Sequence, residues 1–110
     1  MDILDEIIRT QKSDQPAGIT SICSAHPLVL EAVFKHALES GQPVLIEATS
    51  NQVNQYGGYT GMQPADFVRF VHDLAEKSHF PPERMLLGGD HLGPLPFASE
   101  PAALAMEKAK

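Results

Sequence analysis

Three short runs, Ile19–Ser24, Val44–Ala48 and Met85–Asp90, alternate with stretches whose apolar residues recur at helical spacing. This alternation constrains the fold more than any other feature, because strands separated by a whole helix cannot pair through a hairpin. They pair in parallel through crossovers. The chain therefore reads as α/β, with βα units beginning at 19, 43 and 85. Pro27 suits the first turn of a helix that runs to Gly41, a residue fitted to the left-handed position after a helix end. Leu30, Val33, Phe34, Ala37 and Leu38 form its apolar stripe, with Glu31 and Lys35 paired on the other side. A second helix runs from Pro64 to about Ser78, turns Phe67, Phe70, Val71 and Leu74 inward and places Asp66 in its first turn. Pro81-Pro82 forbids its continuation, and one more helix begins near Ser99. At the front, Ile3, Leu4, Ile7 and Ile8 predict an amphipathic helix over residues 2–12, capped by Asp2 and lying on the rest of the structure.

The strand Val44–Ala48 has the composition of one packed on both faces, interrupted by Glu47. Three parallel strands alone leave two edges with unpaired backbone groups, and the helical pattern is still running at Met106–Lys110. Residues 1–110 are thus expected to be a single incomplete domain, the opening part of a TIM-type (β/α)8 barrel with about three βα units and an N-terminal helix. The barrel leads because polar residues gather after each strand, where barrel enzymes build their sites. A doubly wound sheet is the second candidate.

Composition narrows the function classes. With 110 residues, 43% of them hydrophobic, the chain fits one domain, and a net charge of −6 without any basic cluster makes nucleic acid a poor partner. No apolar run reaches the roughly 20 residues of a membrane helix, and the acidic start is unlike a signal peptide, so a cytoplasmic protein is expected. The single cysteine, Cys23, excludes an internal disulfide and is expected to be packed and inert.

Chemistry concentrates in Gly88-Gly89-Asp90-His91-Leu92-Gly93-Pro94, where an acid and an imidazole arrive together at a strand end. Neighbouring strand residues point to opposite faces, so Asp90 and His91 share a site only if the strand ends or bulges there. In that case His91 is a candidate metal ligand and Asp90 a candidate acid/base or a partner orienting the imidazole. Otherwise Asp90 caps a turn and His91 is an ordinary loop residue. Glu47 is a candidate substrate-binding carboxylate, or else a structural one in the barrel interior, paired with a Lys or Arg outside these residues. The uncharged segment Thr49–Met62 offers Ser50, Asn51, Gln52 and Asn54 as candidate ligands for sugar hydroxyls or phosphate oxygens, or else orders itself through its own amides. His26 is a helix-entry residue before it is a ligand, and His36, His72 and His79 read as surface histidines. Neither Gly57-Gly58-Tyr59-Thr60-Gly61 nor Gly88-Gly89 has the spacing of a nucleotide-binding loop.

Ile22-Cys23-Ser24-Ala25-His26-Pro27, Ile46-Glu47-Ala48-Thr49-Ser50-Asn51-Gln52-Val53-Asn54-Gln55, Tyr59-Thr60-Gly61-Met62 and Leu87–Pro94 follow one another in an order that resembles the D-tagatose-bisphosphate aldolase Z-type subunit family, GatZ/KbaZ. The resemblance implies a barrel several times longer than this chain. It also implies an accessory, non-catalytic subunit in galactitol, tagatose or N-acetylgalactosamine catabolism, needed for the stability and full activity of a separate class II tagatose-bisphosphate aldolase subunit. Asp90-His91 is similar to the Asp-His pair of class II aldolases, which implies His91 as zinc ligand and Asp90 as proton donor. The other ligands come from later strands, so zinc is expected only in the complete barrel and none for these residues alone. The alternative implied is a metal-dependent sugar-phosphate aldolase or epimerase in its own right. Some relatives are labelled tagatose 6-phosphate kinase, a label no nucleotide motif here supports.

Overall fold

Two prolines and a glycine set the boundaries of the first two crossover helices. A computed structural model describes residues 2–110, and in it Pro27 and Pro64 open helices α2 (Pro27–Ser40) and α3 (Pro64–Lys77). Gly41 ends α2 in the left-handed conformation, at φ 72°. At the start of α3, Gln63 and Asp66 form a reciprocal capping box, which satisfies donors that the first turn would otherwise leave free. The strands are β1 (Ser21–Cys23), β2 (Val44–Thr49) and β3 (Met85–Asp90), paired in parallel in the order β1-β2-β3. This is the α/β arrangement of an opening barrel segment; a flavodoxin-type order, with β1 in the middle, is excluded.

The sheet has two unlike faces. On one, Val44, Ile46 and Ala48 of β2 and Met85 of β3 are buried under Leu30, Phe34 and Ala37 of α2 and Phe67, Val71, Leu74 and Ala75 of α3. Phe80 completes this core, its ring 5.1 Å from that of Phe34. Arg84 lies over the Phe80 ring and donates to the carbonyls of Ala37 and Gln42 at 2.7 Å each, fastening the end of α2 to the entry of β3. On the other face the alternate residues Leu45, Glu47 and Thr49 are only partly buried. Of the packing on both faces of β2 expected from its composition, the described residues supply one side: helices cover one face only.

Five expectations are corrected. The first strand is shorter than Ile19–Ser24, since the ladder to β2 runs only from Ser21 opposite Leu45 to Cys23 opposite Glu47. The last helix, α4 (Ala102–Lys108), starts later than Ser99: Pro101 disfavours helical backbone at Glu100, and Leu95–Phe97 forms a 3-10 turn instead. Helix α1 (Ile3–Lys12) is capped by Asp2 as expected but buries no residue, and Leu4 and Ile8 stay exposed. Its apolar side is not laid on the rest of the described structure. Leu38 also remains exposed at the margin of the α2 stripe, and Glu31 and Lys35 form no ion pair among the described residues.

Candidate functional site

Register builds the open face. Ser21 pairs with Leu45, Cys23 with Glu47, Glu47 with Gly88 and Thr49 with Asp90, so these side chains share the side of the sheet opposite the helices. The Ser21 hydroxyl donates to Glu47 Oε2. Glu47 leans across Gly88, where a Cβ would stand 3.1 Å from Oε1. Among the described residues the Glu47 carboxylate is met by this serine hydroxyl and forms no ion pair, so a hydrogen bond helps a carboxylate sit in an otherwise apolar strand.

The strand ends at Asp90, and His91 adopts left-handed backbone with φ 51°. A non-glycine residue pays roughly 1–2 kcal/mol for that conformation. An extended His91 would point to the helix side; the left-handed turn brings its Nδ1 to 2.9 Å from Asp90 Oδ1. A carboxylate only accepts, so a hydrogen bond across this distance requires the proton on Nδ1 and leaves the lone pair of a neutral ring on Nε2. The His91 side chain is 80% exposed.

The Thr49–Met62 segment is ordered by its own polar groups. Ser50 is buried; its N–H and hydroxyl reach the His91 carbonyl at 3.4 and 2.9 Å, and the hydroxyl lies 3.1 Å from the Gly93 carbonyl. Gln52 Oε1 accepts from the Thr49 amide at 2.9 Å and from the Cys23 thiol at 3.9 Å. Asn54 donates to the Ser50 carbonyl and accepts from the amides of Tyr56 and Gly58. A Cβ on Gly58 would stand 2.4 Å from the Gln52 carbonyl oxygen, so that glycine is required by the loop's own close approach and not by a phosphate. Asn51 instead lines a groove of about 580 Å³ together with Asn54, Tyr56, Tyr59 and Phe97.

The structure therefore brings Ser50, Gln52, Asp90 and His91 together at the strand ends, sets Glu47 one step below them, and turns Asn51 toward the neighbouring groove. His26 is drawn into capping α2, its Nδ1 accepting from the Leu28 amide at 3.2 Å. His36, His72 and His79 are exposed. Cys23 is a correction: it is exposed on the open face and not packed away. Partial desolvation, and then the Asp90 carboxylate, push its thiol above the ordinary cysteine range. Register made it a neighbour of Asp90, and register is not written in a three-residue strand. Lys108 was also unforeseen: it pairs with Glu100, which holds its ammonium above the usual lysine range, and it lies 5.6 Å from the ring centres of both Tyr56 and Phe97.

A catalytic zinc takes three protein ligands. Among the described residues no group of three His, Cys, Asp or Glu side chains is placed to hold a metal. His91 offers one imidazole, already oriented by Asp90 in the manner of a carboxylate behind a ligand. The donor set does not by itself fit a zinc site.

Parallel βα units with polar residues gathered at the strand ends define the class, a barrel-type α/β protein segment carrying a candidate site at its mouth. The family described as D-tagatose-1,6-bisphosphate aldolase subunit GatZ/KbaZ-like matches residues 4–110, and the chain belongs to that family. It is 60% identical over 105 residues to the D-tagatose-1,6-bisphosphate aldolase subunit GatZ of Salmonella newport (strain SL254), covering 96% of this chain and 25% of that protein. The same identity and coverage hold for the protein of that description from Klebsiella pneumoniae subsp. pneumoniae. A crystal structure of a probable tagatose 6 phosphate kinase from Sinorhizobium meliloti 1021 superposes with a TM-score of 0.78 at 63% identity, over 84% of this chain and 24% of that one. The chain thus spans about a quarter of the length of the relatives it matches.

Proposed function

We propose that this chain serves as part of an accessory, non-catalytic subunit of a class II tagatose-bisphosphate aldolase, stabilising a separate catalytic subunit and raising its activity in galactitol, tagatose or N-acetylgalactosamine catabolism. The observation that carries the reading is family membership along nearly the whole chain, with relatives described as subunits of that aldolase. Residues 1–110 are read as one segment of a barrel domain, acting in the cytoplasm; no helix among the described residues is long and apolar enough to cross a membrane. An accessory subunit stabilises its partner by mass action, since it binds the folded form and not the unfolded one. The chemistry at the mouth suits a sugar phosphate: Glu47 and Asn51 offer acceptors and donors to hydroxyls, and Ser50, Gln52 and Asn54 build the wall that holds Asp90 and His91 in place.

A second reading is favoured by one observation, an exposed imidazole lying against the Asp90 carboxylate. In a complete barrel whose later strands add two ligands, His91 would hold a zinc ion and Asp90 would serve beside it as acid/base, giving a metal-dependent aldolase or epimerase. Bound zinc would supply polarisation of a carbonyl. A kinase reading has no comparable support, because Gly57 and Gly58 of the long loop are crowded by the loop's own backbone.

Gel filtration and thermal melting of the aldolase subunit, with and without the full chain, test the proposal. Co-elution and a higher melting temperature of the catalytic subunit are expected. Separate elution with an unchanged melt would overturn it.

A further inference from the structure

Among the described residues, three other than glycine have positive φ: Asp14, His79 and His91. Asp14 and His79 lie just past the ends of α1 and α3, where left-handed backbone terminates a helix. His91 follows a strand, so another interaction must hold its conformation. Its carbonyl receives both the N–H and the hydroxyl of Ser50, and the same hydroxyl lies within bonding distance of the Gly93 carbonyl on the far side of the bend. Ser50 is buried, so its hydroxyl is turned to this bend and away from any ligand in the mouth. Asn54 anchors Ser50 in turn, donating to its carbonyl at 2.8 Å.

We propose that Ser50 is a positioning residue for the Asp90–His91 pair: by gripping the His91 carbonyl it holds the left-handed turn that lays Nδ1 on Asp90 and presents the Nε2 lone pair to the mouth. The uncharged loop therefore acts on the site through the backbone of the next βα connection, not through contact with a substrate. A ring held this way accepts a hydrogen bond or proton from a sugar-phosphate hydroxyl at Nε2 without first losing orientational freedom. This deepens the proposed function and rests on its placing Asp90 and His91 at the working end of the barrel.

The test is the tautomer of the neutral His91 ring, read from long-range proton–nitrogen spectra of the full chain. The wild type is expected in the Nδ1–H form. Ser50→Ala is expected to shift His91 toward the Nε2–H form favoured by free imidazole, and Ser50→Thr, which keeps the hydroxyl, to restore it; core signals such as those of Ile46 and Val71 report that the variants stay folded. A wild-type His91 in the Nε2–H form overturns the inference without any variant. So does a folded Ser50→Ala protein whose His91 is unchanged. Stimulation of the aldolase subunit by His91→Ala separates the two claims: if it equals that of wild type, the role of the pair in the proposed function fails while the tautomer result still decides the role of Ser50.

Discussion

The two faces of one three-stranded sheet carry opposite kinds of residue and divide the work between them. Val44, Ile46 and Ala48 are buried beneath α2 and α3, whereas Leu45, Glu47 and Thr49, one residue out of phase, face away from the helices beside Cys23, Gly88 and Asp90. The period of two along a strand is what allows this, since it separates stability from chemistry without separating them in sequence. Polar groups on the open face meet their needs locally, Glu47 through Ser21 and Asp90 through His91. Large apolar side chains on the covered face have no such freedom, because their worth lies in area removed from water.

Adjacent residues of β2 give the largest contrast. Ile46→Ala should cost about 2–5 kcal/mol in urea unfolding, the range for emptying a well-packed core site, while Leu45→Ala should cost about 1 kcal/mol or less as a partly exposed position. Equal losses would mean that the second face is covered as well, and the comparison would break. Gly58→Ala should come next, at about 1–3 kcal/mol, since it combines left-handed strain with a backbone clash; a neutral result in the same unfolding experiment would show that the loop is not locked as described.

Gly88→Ala should change stability by less than about 1 kcal/mol yet displace Glu47, because the new methyl would press on its carboxylate. Loss of aldolase stimulation with an unchanged melt is the expected pattern. The smallest effect concerns Cys23. Burial, and then Asp90, raise its thiol, so Asp90→Asn removes part of the rise and more thiolate is present at a given pH. Alkylation by iodoacetamide should be modestly faster, with its pH–rate profile moved to lower pH; an unchanged profile would place Asp90 too far away to act on the thiol.

Much of the covered face was legible in the sequence. Pro27, Gly41 and Pro64 mark their helices by fixed backbone preferences, and the spacing of Phe67, Val71 and Leu74 names the inward side of α3 directly. The open face was legible only in its residue types. Asp90 and His91 stood out as a pair, but their meeting depends on a left-handed turn held by Ser50, a residue 41 positions away. The loop's amides suit both a ligand-binding and a self-ordering role, and deciding between those needs hydrogen-bond partners that no spacing reveals. Cys23 was misplaced for a similar reason, because a strand of three residues has no pattern long enough to fix which way its side chains face.

The most direct measurement is cleavage of tagatose bisphosphate with added zinc by the full chain alone, by the class II aldolase subunit alone and by their mixture. No cleavage by the full chain alone, and a mixture faster than the aldolase subunit alone, is the result expected of an accessory subunit. Cleavage by the full chain alone, abolished in His91→Ala, would contradict that role and make the Asp90–His91 pair the centre of an enzyme in its own right.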